Sequence, residues 1–150
     1  MKITVLLADF ATPDVNNKVN ALGLGWARTG TPLGVHSILL LVEASQDEQG
    51  VTHNLNIRLL NMDGNIVSDA QGGQLEINAE FTVEDQGNAP QVPNMVPLVV
   101  TLSAGMTLEP GVYRWEVTSP SFPGESWNRP FQVFSGSGEV LPEVTVPSGK

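Results

Sequence analysis

The chain has 150 residues, 41% of them hydrophobic, enough for one domain that buries roughly two thirds of its unfolded surface without metals or cross-links. Its 16 acidic and 7 basic residues leave a formal charge of -9, which repels phosphate backbones and anionic bilayers and so argues against DNA, RNA and membrane surfaces as partners. Cysteine is absent, which removes disulfides, thiolate metal sites and thiol nucleophiles.

Along the chain, period-two alternation and β-branched residues recur between Gly, Pro, Asn and Asp clusters, and helical periodicity is almost nowhere to be found. Met1-Lys2 leads into an apolar run from Ile3 to Ala8, which Asp9 ends before it reaches the length of a secretion-signal core. The run reads as a strand that is apolar on both faces and belongs at the middle of a sheet. No stretch approaches the roughly 20 apolar residues of a membrane span, so a soluble protein of the cytoplasm, or of a virion, is expected. Asp9 to Asn17, with Thr12-Pro13-Asp14, reads as a loop before a short strand over Lys18 to Leu22. Gly23 and Gly25 then flank Leu24 ahead of Trp26.

His36 to Ala44 is a second strongly apolar run and the expected strand at the middle of the core. After a polar loop, Leu55, Ile57 and Leu59 alternate with Asn54, Asn56 and Arg58, the pattern of a strand with one dry and one wet face. Asp63-Gly64 suits a tight hairpin turn, because that dipeptide tolerates positive φ. Leu75, Ile77, Ala79, Phe81 and Val83 form the next dry face. Gly87 to Pro97 carries three prolines and reads as the longest loop within the domain, followed by a strand over Leu98 to Leu102. Pro110-Gly111 turns the chain into a strand with Tyr113, Trp115 and Val117 on one side and Arg114 and Glu116 on the other. Trp127, Phe131, Val133 and Phe134 mark a closing strand that Pro130 should confine to an edge or a bulge.

From Ser135 the composition changes. Ser135-Gly136-Ser137-Gly138 reads as a hinge, and Val140, Leu141, Val144 and Val146, interleaved with Pro142 and Pro147, as an extended apolar arm. The expected architecture is thus an all-β, single-domain antiparallel sandwich of about 8 or 9 strands, immunoglobulin-like or jelly-roll-like, over residues 1–134, with the hinge and arm over 135–150.

Several of these segments together resemble a family of small uncharacterised bacterial proteins, found in actinobacteria and their phages. The resemblance rests on Leu6-Leu7-Ala8-Asp9 with Ala11, on Asn20-Ala21-Leu22-Gly23-Leu24-Gly25-Trp26, on His53, Asp63-Gly64 and Pro110-Gly111 with Tyr113 and Trp115, and on Trp127 and Phe131. It implies an all-β fold and brings no activity with it.

Motifs for reaction chemistry are few. The two histidines, His36 and His53, have no serine motif nearby in sequence, because Gly136-Ser137-Gly138 lacks the glycine that a nucleophile elbow places two positions before its serine. His36 reads as a strand-start residue and His53 as a loop or strand-edge residue. Asn61, Asp63, Gly64 and Asn65 imitate a calcium loop but are out of register and lack the downstream bidentate Glu. Glu84-Asp85 reads as a solvated acidic corner. Gly23, Gly25 and Gly30 lack the spacing, the lysine and the following helix of a phosphate loop. Asp9, Asp14, Glu43 and Glu76 are candidate carboxylates with no spacing that selects a pair.

The sequence therefore points to a non-enzymatic protein with no metal and no cofactor, acting in protein assembly. The arm residues Val140, Leu141, Val144 and Val146 are expected to add a strand to a neighbouring sheet, in a homo-oligomer or a particle such as a phage virion. The alternative is a ligand- or glycan-binding module that stacks its ligand on Trp26 and Trp127. A hydrolase using carboxylates ranks third.

Overall fold

The computed structural model describes residues 1–69, 71–85, 92–103 and 106–135. Among the described residues ten strands run in chain order: β1 (Lys2–Ala8), β2 (Phe10–Pro13), β3 (Val19–Leu22), β4 (Arg28–Gly30), β5 (His36–Ala44), β6 (Thr52–Leu60), β7 (Glu76–Thr82), β8 (Asn94–Leu102), β9 (Gly111–Thr118) and β10 (Ser126–Phe134). The helical content of the described residues is one 3-10 turn, Gln46–Glu48. The fold is all-β, and its strands form three sheets: β1-β5-β8, β4-β10-β9-β6-β7 and the hairpin β2-β3. Every pairing is antiparallel except that of β4 with β10, which runs parallel and makes the five-stranded sheet mixed. The expectation of a wholly antiparallel fold is corrected there.

Period-two patterning decides which faces meet. Ile3, Val5 and Leu7 of β1 and Ile38, Leu40 and Val42 of β5 share one core with Leu55, Ile57 and Leu59 of β6, Trp115 and Val117 of β9, and Phe131 and Val133 of β10. The two larger sheets thus turn their apolar faces to each other. Trp115 is fully buried at this junction, as Tyr113 and Val117 on the same side of its strand suggested.

Four features depart from the expectation, each for a local reason. The first strand is apolar on both sides, yet β1 is an edge strand whose one strand neighbour in its sheet is β5. Its outer backbone is met by a side chain, because Arg129 Nε on β10 donates to the Val5 carbonyl at 2.8 Å. Phe10–Pro13, read as loop, pairs with Val19–Leu22 as a hairpin whose turn is fixed by Asp14, which accepts from Asn16 N at 2.8 Å and Lys18 N at 3.0 Å. That hairpin lies against the outer side of β5: Ala11 N donates to Ser37 Oγ at 3.1 Å. Leu39, on the same side of β5 as Ser37, is buried with it. This second covering explains why β5 is apolar on both sides.

The eighth strand begins at Asn94, so Pro97 lies inside it, where the sheet order leaves β8 with one open edge and a missing N–H is tolerated. The closing strand is interior, between β4 and β9, rather than at an edge. Pro130 is accommodated because β4 reaches only Gln132 to Phe134, leaving that side of residue 130 outside the β4 ladder.

The Asp63-Gly64 turn is present. Gly64 adopts φ +83, and Asn61 Oδ1 accepts from the backbone N–H groups of Asp63 and Asn65 at 3.0 Å each. Beyond it, among the described residues, the chain makes isolated bridges from Leu60 to Ile66 and from Ser68 to Gln74 before β7. The arm residues Val140, Leu141, Val144 and Val146 lie outside the described residues.

Candidate functional site

Two places bring chemistry-bearing side chains together. One is the corner where the two longest segments of the family resemblance meet. Asp9 N donates to the Leu22 carbonyl and Gly25 N to the Leu7 carbonyl, which pins the glycine-rich segment against the end of β1. Gly23 has φ +60, and a Cβ at that position would collide with the Asp9 carboxylate, so glycine is required on both counts. Asp9 and Arg28 then line one cleft of about 190 Å³ with Trp26, Thr29, Val35 and His36.

Val35 of that cleft and three large apolar residues of the hairpin and the glycine-rich segment are exposed. Phe10 and Leu22 are cross-strand partners in the hairpin and are 48% and 69% exposed, while Leu24 and Val35 are 50% and 54% exposed. Beneath it, Trp26 stands edge-on to His36 at 5.6 Å and to Phe131 at 5.9 Å. His36 Nδ1 bonds the Gly34 carbonyl at 3.0 Å, which makes Nδ1 the protonated nitrogen of the neutral ring. Burial pushes His36 below its ordinary value near 6.5, and the bond to Gly34 opposes that shift.

The second place surrounds His53. Its ring is buried between Phe81, at 5.5 Å, and Phe122, at 5.8 Å. Nδ1 lies 3.3 Å from Ser121 Oγ, and Nε2 lies 3.5 Å from Glu48 Oε1. Glu48 is itself buried and fixed from its other oxygen, where Oε2 accepts from Ser45 N at 2.7 Å and Ser45 Oγ at 3.2 Å, with the Met1 ammonium at 3.7 Å. Ser121 is exposed, on a turn held by Ser121 N donating to Ser119 Oγ. The sequence reading placed His53 at a loop or edge. The structure makes it a core residue of β6, on the same face as Leu55, Ile57 and Leu59.

Trp26 and Trp127, joined in the sequence reading as one stacking platform, are not brought together. Trp127 contacts Phe122 at 6.5 Å, whereas Trp26 contacts Phe131, which is four residues, or about 13 Å, further along β10. The candidate carboxylates also part company. Glu43 pairs with Lys2 at 3.5 Å, Glu76 accepts from Asn56 Nδ2, Asp14 caps its turn and Asp9 faces Gly23. No three His, Asp or Glu side chains among the described residues form a metal-binding group. Glu84 and Asp85 are exposed, as the reading of an acidic corner requires.

A separate groove of about 500 Å³ opens between the polar side of β6 and β9 and the turn that follows β9. It is lined by Asn56, Arg58, Glu116 and Thr118 on one side and by Phe122 and Glu125 on the other. Arg58 and Glu116 form an ion pair across the two strands there. Neither this groove nor Ser121 had a sequence signal, because their residues are brought together by strand pairing rather than by spacing.

Residues 3–121 match the model of a family described as Family of unknown function (DUF6941). No curated protein matches the chain.

Proposed function

The chain belongs to DUF6941, and we propose that it works in protein assembly, with the corner between Asp9 and Trp26 as the surface that meets a second copy of the chain. The observation that carries this is a set of exposed apolar side chains: Phe10 and Leu22, paired across the hairpin, Leu24 between the two glycines, and Val35, which lines the cleft that holds a carboxylate and a guanidinium, are each about half exposed or more. Contiguous apolar surface rimmed by polar groups is the usual mark of a protein contact. A two-fold contact uses each patch twice, so Asp9 of one copy can meet Arg28 of the other in both directions. The two large sheets, taken as the layers of a sandwich, give this corner a rigid base. Such a role needs no catalytic step. It accords with the expected place of the protein in the cytoplasm or in a particle such as a virion, where the arm over 135–150 supplies a second contact by strand addition.

Sedimentation velocity across a wide concentration range tests the reading. The expected result is a dimer whose dissociation constant rises at least about tenfold, or roughly 1.4 kcal/mol, in Leu22→Glu. Asp9→Arg and Arg28→Asp should each weaken self-association alone and restore it when the two variants are mixed, since the mixed pair again sets opposite charges together. A wild-type chain that stays monomeric at millimolar concentration would falsify the proposal.

A second reading has its own observation in the groove beside Arg58 and Glu116, whose polar wall and Phe122 suit a small polar ligand such as a glycan. Titration with oligosaccharides, followed through Trp127 next to Phe122, checks it; a flat fluorescence response counts against it.

A further inference from the structure

The second histidine carries an arrangement that the assembly role does not use. We infer that Ser121 is a nucleophile activated by His53, with Glu48 as the positioning residue, and that it takes an acyl group from a small oxygen ester. The three side chains form a line: an exposed hydroxyl, a buried imidazole 3.3 Å from it, and a buried carboxylate 3.5 Å beyond the ring. This is the order a nucleophile, a base and an orienting acid require.

Each member is fixed by something other than the line itself. Phe81 and Phe122 clamp the ring from its two sides, so its nitrogens stay aimed at Ser121 and Glu48. Ser45 holds Glu48 Oε2 through both its N–H and its hydroxyl, leaving Oε1 for the histidine. His53 Nε2 and Glu48 Oε1 are buried and have no other hydrogen-bond partner among the described residues. At 3.5 Å their contact is longer than a good hydrogen bond, as is common before substrate arrives, and it shortens when the ring becomes an imidazolium. A proton on Nε2, facing the carboxylate, leaves Nδ1 as the acceptor for the serine hydroxyl.

The step then balances. The Ser121 hydroxyl proton passes to His53 Nδ1 as Oγ bonds to the ester carbonyl carbon. The bond from that carbon to the alcohol oxygen breaks, and the alcohol leaves with the proton that His53 received. Water repeats the sequence, and a carboxylic acid departs with Ser121 restored. Glu48 keeps its place beside the ring and stabilises the transient imidazolium.

The whole chain, incubated with a fluorophosphonate, reports the nucleophile directly, since Oγ bonds to phosphorus while fluoride leaves. Peptide mapping by mass should find the adduct on Ser121, absent in Ser121→Ala and slowed at least about a hundredfold in His53→Gln. Removing His53 also removes a core side chain, so a second variant keeps it. The chain has no cysteine, and Ser121→Cys would therefore carry one thiol at an exposed position. Beside His53 that thiol should react with iodoacetamide near neutral pH at least about tenfold faster than a free thiol, because an imidazolium stabilises the thiolate. Adding Glu48→Gln should move the midpoint of that pH profile upward, which a purely structural carboxylate would not do. An adduct elsewhere, no adduct at all, or a Ser121→Cys thiol that behaves like free cysteine overturns the inference.

Discussion

The two histidines occupy similar aromatic settings and lead opposite lives. His36 is packed against Trp26 and Trp115, bonds only the Gly34 carbonyl, and keeps a buried Nε2 that no described protein group meets. His53 is packed between two phenylalanines and has an oxygen-bearing side chain at each nitrogen. A ring with one neutral acceptor is held in its uncharged form by burial. A ring between a hydroxyl and a carboxylate has an oxygen facing each of its nitrogens. Burial by itself therefore says little about a histidine's role; the groups at its two nitrogens do.

The largest effect should come from the tryptophan that backs His36. Trp115→Ala empties the fully buried centre of the core and should cost about 3–5 kcal/mol in a denaturant titration. A loss under about 2 kcal/mol would show that the core closes around the cavity and that the His36 surroundings are less rigid than their packing implies. Next in size, the paired variants His53→Leu and His36→Leu set the two regions against each other. His53→Leu leaves Glu48 Oε1 buried without its neighbour and should cost about 1–3 kcal/mol, whereas His36→Leu gives up one bond to an exposed glycine and should cost under about 1 kcal/mol. Equal losses would erase the distinction between the two sites.

The smallest effect is a slope. The folded-state value of His36 lies below its ordinary 6.5, so between the two values the unfolded chain binds more protons than the folded one. The contribution of His36 is thus complete above about pH 6.5 and declines as pH falls through that value, by at most about 1.4 kcal/mol per pH unit. Melting temperatures taken between pH 8 and pH 5 should fall less steeply in His36→Gln than in the unaltered chain. An unchanged slope would mean that His36 is not the group responsible.

Most strands were legible because burial on one side imposes alternation, and β6, β7 and β9 carry it clearly at Leu55 to Leu59, Leu75 to Val83 and Tyr113 to Val117. Two of the short strands were not, although Val19–Leu22 was. Phe10–Pro13 and Arg28–Gly30 are too brief to show a period, and their pairing depends on partners chosen by the fold. Pro97 and Pro130 suppressed a strand reading or displaced it to an edge, although each sits where the lost N–H has no ladder partner to disappoint. The site residues divide in the same way. Trp26, Asp9 and the glycines were visible as a local motif, while Glu48, His53 and Ser121 are joined only in space, His53 and Ser121 being 68 residues apart. A serine motif is a matter of local spacing, whereas this serine is delivered to its histidine by the pairing of β6 with β9 and the turn beyond.

One contact bears on how the chain is made. Arg129 reaches the backbone of Val5 across 124 residues, and β4 gains its parallel neighbour only from Gln132 to Phe134. During synthesis the first strand therefore emerges long before the side chain that shields it, and long-range pairings of this kind slow folding. Until Ser126–Phe134 leaves the ribosome, β9 exposes an edge to any passing strand and the Val5 carbonyl lacks its side-chain cover, which makes that interval the natural moment for a chaperone to act.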